Sequence, residues 1–138
     1  RCSGGSLLTI KQDRNIKNCT GGIVWETAFL LGTFLEVYGH EGVVDTPDSN
    51  ADSDDKPKAK RARISSKEPH KTPLRVLEVG AGCGLLGLIL SRLGHQVLLT
   101  ETSEAMPNLE ANVLANKQGT KGLTAAAKLD WLEPGDVE

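Results

Sequence analysis

Apolar positions recur along this chain with two different periods, and the change from one to the other marks out its elements. Leu7–Asp13 (LLTIKQD) reads as a short strand with Leu8 and Ile10 on one face. The period then lengthens. After a flexible Thr20-Gly21-Gly22 lead-in, Trp25, Ala28, Leu31 and Leu35 return at helical spacing, joined by Phe34 and Tyr38. Glu26 suits the positive end of that helix's dipole, and Gly39 is predicted to stop it.

Further on, strand and helix patterns alternate. Arg75–Val79 (RVLEV) is apolar enough for a buried strand, Gly80–Gly84 is a glycine-rich turn, Leu85–Leu93 is a helix closed by Gly94, and Val97–Thr100 is a second strand. So short a crossover between two apolar strands predicts a parallel sheet with a right-handed connection. Ser103 is predicted to cap a helix that carries Pro107 in its first turn, runs to about Lys117 and stops at Gly119. Leu123–Leu129 makes a third strand, with Leu123, Ala125, Ala127 and Leu129 alternating on one face. This succession implies an α/β, doubly wound, Rossmann-like fold: a parallel sheet with helices on both faces.

Three parts follow. Residues 1–39 are a strand and helix leading into the domain, and residues 74–138 are the first half of a ligand-binding Rossmann-like domain. Between them, His40–Pro73 carries Asp45, Asp48, Asp52, Asp54 and Asp55 and then Lys56, Lys58, Lys60, Arg61 and Arg63, with almost nothing apolar. Such a stretch buries too little to offset the entropy of ordering, and it is expected to be a mobile surface insertion. The basic run 56–63 (KPKAKRAR) could serve as a nuclear-localisation signal; a solvated loop, partly neutralised by the aspartates before it, is the preferred reading. The chain starts at Arg1 and ends directly after a strand and turn, so the later strands of the sheet are expected to be missing from it.

Composition narrows the function classes. A net charge of −2 over 138 residues gives no global attraction to nucleic acid or to an anionic membrane. The apolar run Leu85–Leu93 is far shorter than a membrane span and contains Ser91 and Arg92. Cys2, Cys19 and Cys83 are widely spaced, and His40, His70 and His95 stand apart, so neither a disulfide framework nor a zinc site is expected. A reducing, cytoplasmic compartment fits this cysteine usage, with the nucleus open if the basic run is a signal.

The chemistry concentrates at the glycine turn. Gly80-Ala81-Gly82-Cys83-Gly84 places glycines where backbone must approach a ligand, but in the register GxGxG; Leu85 stands where the third glycine of a dinucleotide-binding GxGxxG would fall. Glu78 precedes the first glycine by two. A pyrophosphate would seek the amides at the helix start and gain nothing from an acid there. An amino-acid ligand with an α-amino group would. Glu101, at the end of the second strand and about 20 residues beyond the turn, is placed to reach ribose hydroxyls rather than to be a merely solvated carboxylate. Trp131 could stack on an adenine with Asp130 accepting from its exocyclic amine, or could equally close the core. For Trp25, a core position is the safer reading of the residues alone.

The strings Thr20-Gly-Gly-Ile-Val-Trp25-Glu-Thr-Ala, VLEVGAGCGLLGL (76–88), Thr100-Glu101, Asn108-Leu-Glu-Ala-Asn112 and Leu129-Asp130-Trp131 occur in this order. Together they resemble the seven-β-strand, class I protein-lysine methyltransferases, whose members modify chaperones, AAA ATPases and translation elongation factors. The resemblance spans both sides of the 40–73 stretch and omits it. It implies S-adenosylmethionine as cofactor, contacted by Trp25, Gly80, Ala81, Gly82, Glu101 and Trp131, with a protein lysine as methyl acceptor; Glu78, Gly84 and Asp130 join these as candidate cofactor-binding residues from the reading of the turn and strand ends above. The family more often has Asp where this chain has Glu101. Its acidic-x-x-Tyr-type motif at the substrate channel follows the fourth strand, beyond Glu138, so no catalytic residue is assigned. A small-molecule or nucleic-acid methyltransferase of the same fold, and a non-catalytic methyltransferase-like protein, are the competing readings; with about three core strands, this stretch alone is expected to be inactive and to bind the cofactor weakly.

Overall fold

The computed structural model describes residues 7–39 and 73–136. Three strands, β1 (Arg75–Val79), β2 (Gln96–Glu101) and β3 (Thr124–Lys128), form a parallel sheet in the order β1-β2-β3. Helix α1 (Glu26–Tyr38) precedes them; α2 (Leu85–Arg92) and α3 (Met106–Asn116) make the two crossovers. The predicted strand–turn–helix–strand unit is therefore present, with β2 one residue longer at each end than its apolar run. The 40–73 insertion and its basic run lie, Pro73 apart, outside the described residues.

The core forms on one face of the sheet. Val97 and Leu99 of β2 point to that face, and Leu90 of α2 with Leu109 and Val113 of α3 pack over them. Two right-handed crossovers that step in the same direction along a sheet must place both helices on the same side. The opposite face carries Leu77, Val79 and Leu98, which are 59%, 49% and 40% exposed. Strand β1 is thus covered on one face only, and of the two helix layers that the fold class predicts, one is present among the described residues. Helix α1 packs on α2 through Gly32, where a Cβ would lie 2.4 Å from Ile89 Cδ1. Gly39 ends α1 as predicted, with φ +69° and its N–H donating to the Leu35 carbonyl.

Leu7–Asp13 is not a strand. Its backbone groups are taken by side-chain amides of α3: Thr9 N–H donates to Asn116 Oδ1 (3.0 Å) and Asn116 Nδ2 to Thr9 O (2.8 Å), while Lys11 N–H donates to Asn112 Oδ1 (2.7 Å) and Asn112 Nδ2 to Lys11 O (3.0 Å). One turn of helix separates the two asparagines, so they act as a substitute ladder that residue alternation cannot distinguish from a neighbouring strand. Ser103 is not the cap of α3 either. The cap position is Ala105 with no side-chain bond, and the Thr102 carbonyl accepts the N–H groups of Ala105 and Met106 (3.2 and 3.1 Å). Pro107 in the first turn removes an N–H that a capping oxygen would otherwise serve.

Leu99 is fully buried where both helices meet the sheet, whereas Leu98, one residue earlier, faces the bare side. In this chain Leu99→Ala is expected to cost about 2–5 kcal/mol of stability and Leu98→Ala less than about 1 kcal/mol, measured by denaturant unfolding of the two variants.

Candidate cofactor site

Beyond the carboxyl ends of the strands lies a cleft of about 570 Å³, the position at which open α/β sheets bind ligands. Its floor is the turn between β1 and α2. Gly80, Gly82 and Gly84 have φ of +67°, +56° and +79°, a left-handed backbone that any side chain would strain. The alternate-glycine spacing is therefore a backbone requirement. Strand β2 holds the turn in place: Ala81 N–H donates to the Thr100 carbonyl (2.9 Å) and Gly82 N–H to Glu101 Oε2 (2.9 Å). Glu101 Oε1 also accepts the N–H of Thr102 (3.1 Å). The Glu101 carboxylate is thus 7% exposed and closes one side of the cleft.

The opposite wall is the segment from Thr20 to Leu31. Thr20-Gly21-Gly22 is not the flexible lead-in expected of it: both glycines are buried. A Cβ on Gly21 would lie 2.8 Å from the Ala105 side chain, and one on Gly22 would meet the Asp13 carbonyl. The Gly21 carbonyl accepts from the Cys83 thiol (3.5 Å), which joins this wall to the turn. These glycines allow close approach rather than motion.

Seven of the nine candidate residues line this one cleft: Trp25, Glu78, Gly80, Ala81, Gly82, Glu101 and Trp131. Trp25 is not core; it is 53% exposed, with its indole N–H donating to the Thr20 carbonyl (3.3 Å). Trp131 is 56% exposed and does not close the core; its ring leans over Gly80, 3.5 Å from where a Cβ would stand. Two candidates lie elsewhere. Gly84 is turned inward, where a Cβ would sit 2.7 Å from Leu109 Cδ1, and it serves as the start of α2. Asp130 is a turn residue whose Oδ1 accepts the Leu132 N–H (3.0 Å) and whose own N–H donates to Asp136 Oδ2 (2.9 Å). Ala28 and Leu31, read as part of the apolar helical spacing of α1, line the cleft with Trp25. Their helical spacing was the signal, but periodicity alone does not separate a core face from a cleft wall. Thr20, the first residue of the string that carries the resemblance, lines it too, and nothing in the sequence marked Cys19 or Thr102, which also do.

A family model described as lysine methyltransferase matches residues 3–137 of this sequence. The chain belongs to the lysine methyltransferase family. It is 28% identical over 116 residues to protein-lysine methyltransferase METTL21E of Mus musculus, covering 83% of this chain and 36% of that protein. It is 32% identical over 116 residues to protein N-lysine methyltransferase METTL21A of Danio rerio, covering 83% of this chain and 40% of that protein. Over 42 residues it is 43% identical to EEF1A lysine methyltransferase 3 of Xenopus tropicalis, 30% of this chain and 19% of that protein. The chain thus spans well under half the length of these relatives.

The two acids of the cleft differ in their partners. Glu101 is satisfied by backbone amides, whereas Glu78 Oε2 is buried with no hydrogen-bond partner. Burial pushes the Glu78 carboxyl up to about 7; the nearby Gly87 amide at the start of α2 opposes this, and the negative charge of Glu101 adds to it. The folded chain therefore keeps this proton after the unfolded chain has released it near 4.5. Stability from this group is greatest at low pH and declines as pH rises toward 7, by up to about 3 kcal/mol. Denaturant titrations between about pH 5 and pH 7.5 are expected to show this decline in the wild-type chain and a flatter profile in Glu78→Gln.

Proposed function

We propose that the protein transfers a methyl group from S-adenosylmethionine to the side-chain amine of a lysine in a protein substrate. The observation that carries this reading is the carboxyl of Glu78 in the cleft lining, beside a turn free of side-chain bulk. An α-ammonium would pair with that carboxyl and favour its charged form, whereas a pyrophosphate would gain nothing from it. The remaining lining residues fit the rest of such a molecule. Glu101, at the end of β2, suits ribose hydroxyls; the exposed Trp131 ring offers a face to an adenine; Trp25, Ala28 and Leu31 supply an apolar wall for the methionine end. Here the family's more usual Asp is replaced by Glu101, and the longer side chain still reaches the cleft.

When bound, the cofactor supplies a methyl group already activated on a sulfonium. The protein's task is alignment and exclusion of water. A lysine amine, with an ordinary pKa near roughly 10.4, must shed its proton before it attacks, and desolvation on entering the cleft favours the neutral form. The relatives' names support protein lysine as the acceptor class, and that of the Xenopus tropicalis protein favours the translation factors among the chaperones, ATPases and elongation factors of the resemblance as candidate substrates. The net charge of −2 favours protein over nucleic acid. The cytoplasm is the proposed compartment, in keeping with the free thiols of Cys19 and Cys83.

With radiolabelled cofactor and a cell lysate, the intact protein is expected to label protein at lysine. Label confined to RNA would overturn the lysine reading. Calorimetric titration is expected to show Glu101→Ala binding S-adenosylmethionine at least about tenfold more weakly than wild type, the loss of a charge-assisted hydrogen bond costing roughly 1.5–3 kcal/mol.

A further inference from the structure

The string Asn108-Leu-Glu-Ala-Asn112 carries part of the family resemblance, yet neither asparagine lines the cleft. Asn112 is 1% exposed. Its Nδ2 donates to the Cys83 carbonyl in the glycine turn (3.0 Å) and to the Lys11 carbonyl (3.0 Å), and its Oδ1 accepts the Lys11 N–H (2.7 Å). Two residues after Lys11, Asp13 N–H donates to the Gly22 carbonyl (2.8 Å), and the adjacent Gly21 accepts from the Cys83 thiol. The contacts form a closed circuit from α3 through the N-terminal segment and the Gly21 wall to the turn, and back to α3.

We propose that Asn112 is a positioning residue of the cofactor cleft: its one amide sets the separation of the glycine turn from the Gly21 wall. A buried amide with donors and acceptor all engaged is costly to disturb and holds one geometry. Asn116 provides an internal control. It binds the same segment at Thr9 and donates to the Asn112 carbonyl (2.7 Å), but has no bond to the glycine turn. Asn108 makes two long donations, to Lys11 O (3.4 Å) and to Cys83 Sγ (3.6 Å), and its Oδ1 has no partner among the described residues, so its hold on the turn is the weaker one. The proposal rests on the S-adenosylmethionine reading for the identity of the ligand.

The test compares Asn112→Ala with Asn116→Ala in the intact protein at matched fractions folded. Cys83, 2% exposed in the turn, reports on the turn without any ligand. Its alkylation by iodoacetamide, followed by peptide mass spectrometry, is expected to rise roughly tenfold in Asn112→Ala and to stay at the wild-type rate in Asn116→Ala. Calorimetry is expected to show weaker S-adenosylmethionine binding in Asn112→Ala alone. Asn112→Asp, which keeps the acceptor and loses the donors, is expected to behave like Asn112→Ala. If Asn112→Ala does not fold, Asn112→Gln, with the amide moved by one methylene, carries the same comparison. Equal Cys83 reactivity in the position-112 and position-116 variants would overturn the proposal. Wild-type protein that protects Cys83 but does not bind S-adenosylmethionine would instead overturn the ligand assignment and leave the positioning role standing.

Discussion

The carboxylate of Glu101 grips the amides of Gly82 and Thr102, at 2.9 and 3.1 Å, and so fastens the turn after β1 to the end of β2. A charged acceptor makes such bonds stronger than neutral ones, and the backbone they hold is one that only glycine adopts without strain. The floor of the cleft, the start of α2 and the placing of Glu78 all follow from that attachment. It also separates the two acids by role. One spends its charge on backbone, and the other, with one oxygen buried and unpartnered among the described residues, is raised in pKa.

The parts legible from sequence were those in which local chemistry and tertiary contact agree. Strand, glycine turn, helix and strand from Arg75 to Glu101 could be read because β-branched and leucine residues, three glycines and a second apolar run each constrain the backbone where they stand. The two tryptophans were harder. An indole at the end of a strand or the start of a helix is equally at home in a core or against a ligand, and only the tertiary arrangement at the carboxyl ends of the strands places Trp131 and Trp25 on the cleft. Asp130 looked like an adenine partner, but it lies at a turn, where an aspartate commonly accepts the N–H two residues on.

The N-terminal segment failed to follow its pattern for a related reason. Leu8 and Ile10 alternate as a strand would, but no strand among the described residues lies beside them; the groups that pair with this backbone are side chains of α3. Asn108, Asn112 and Asn116, which a polarity count would send to solvent, are 6%, 1% and 4% exposed. Three amides a turn apart on one helix are a way of docking irregular backbone without leaving its polar groups unpaired.

The close approach at Gly32 reaches further than its own contact. Helix α1 leans on Ile89 there, and its first two turns carry Ala28 and Leu31 to the cleft wall that Trp25 begins. Position 32 therefore sets how closely α1 lies on α2: a methyl group added there would meet the tip of Ile89, and unless that side chain turns aside the helix must give. The aperture through which a ligand enters is gauged by a residue that the ligand never meets.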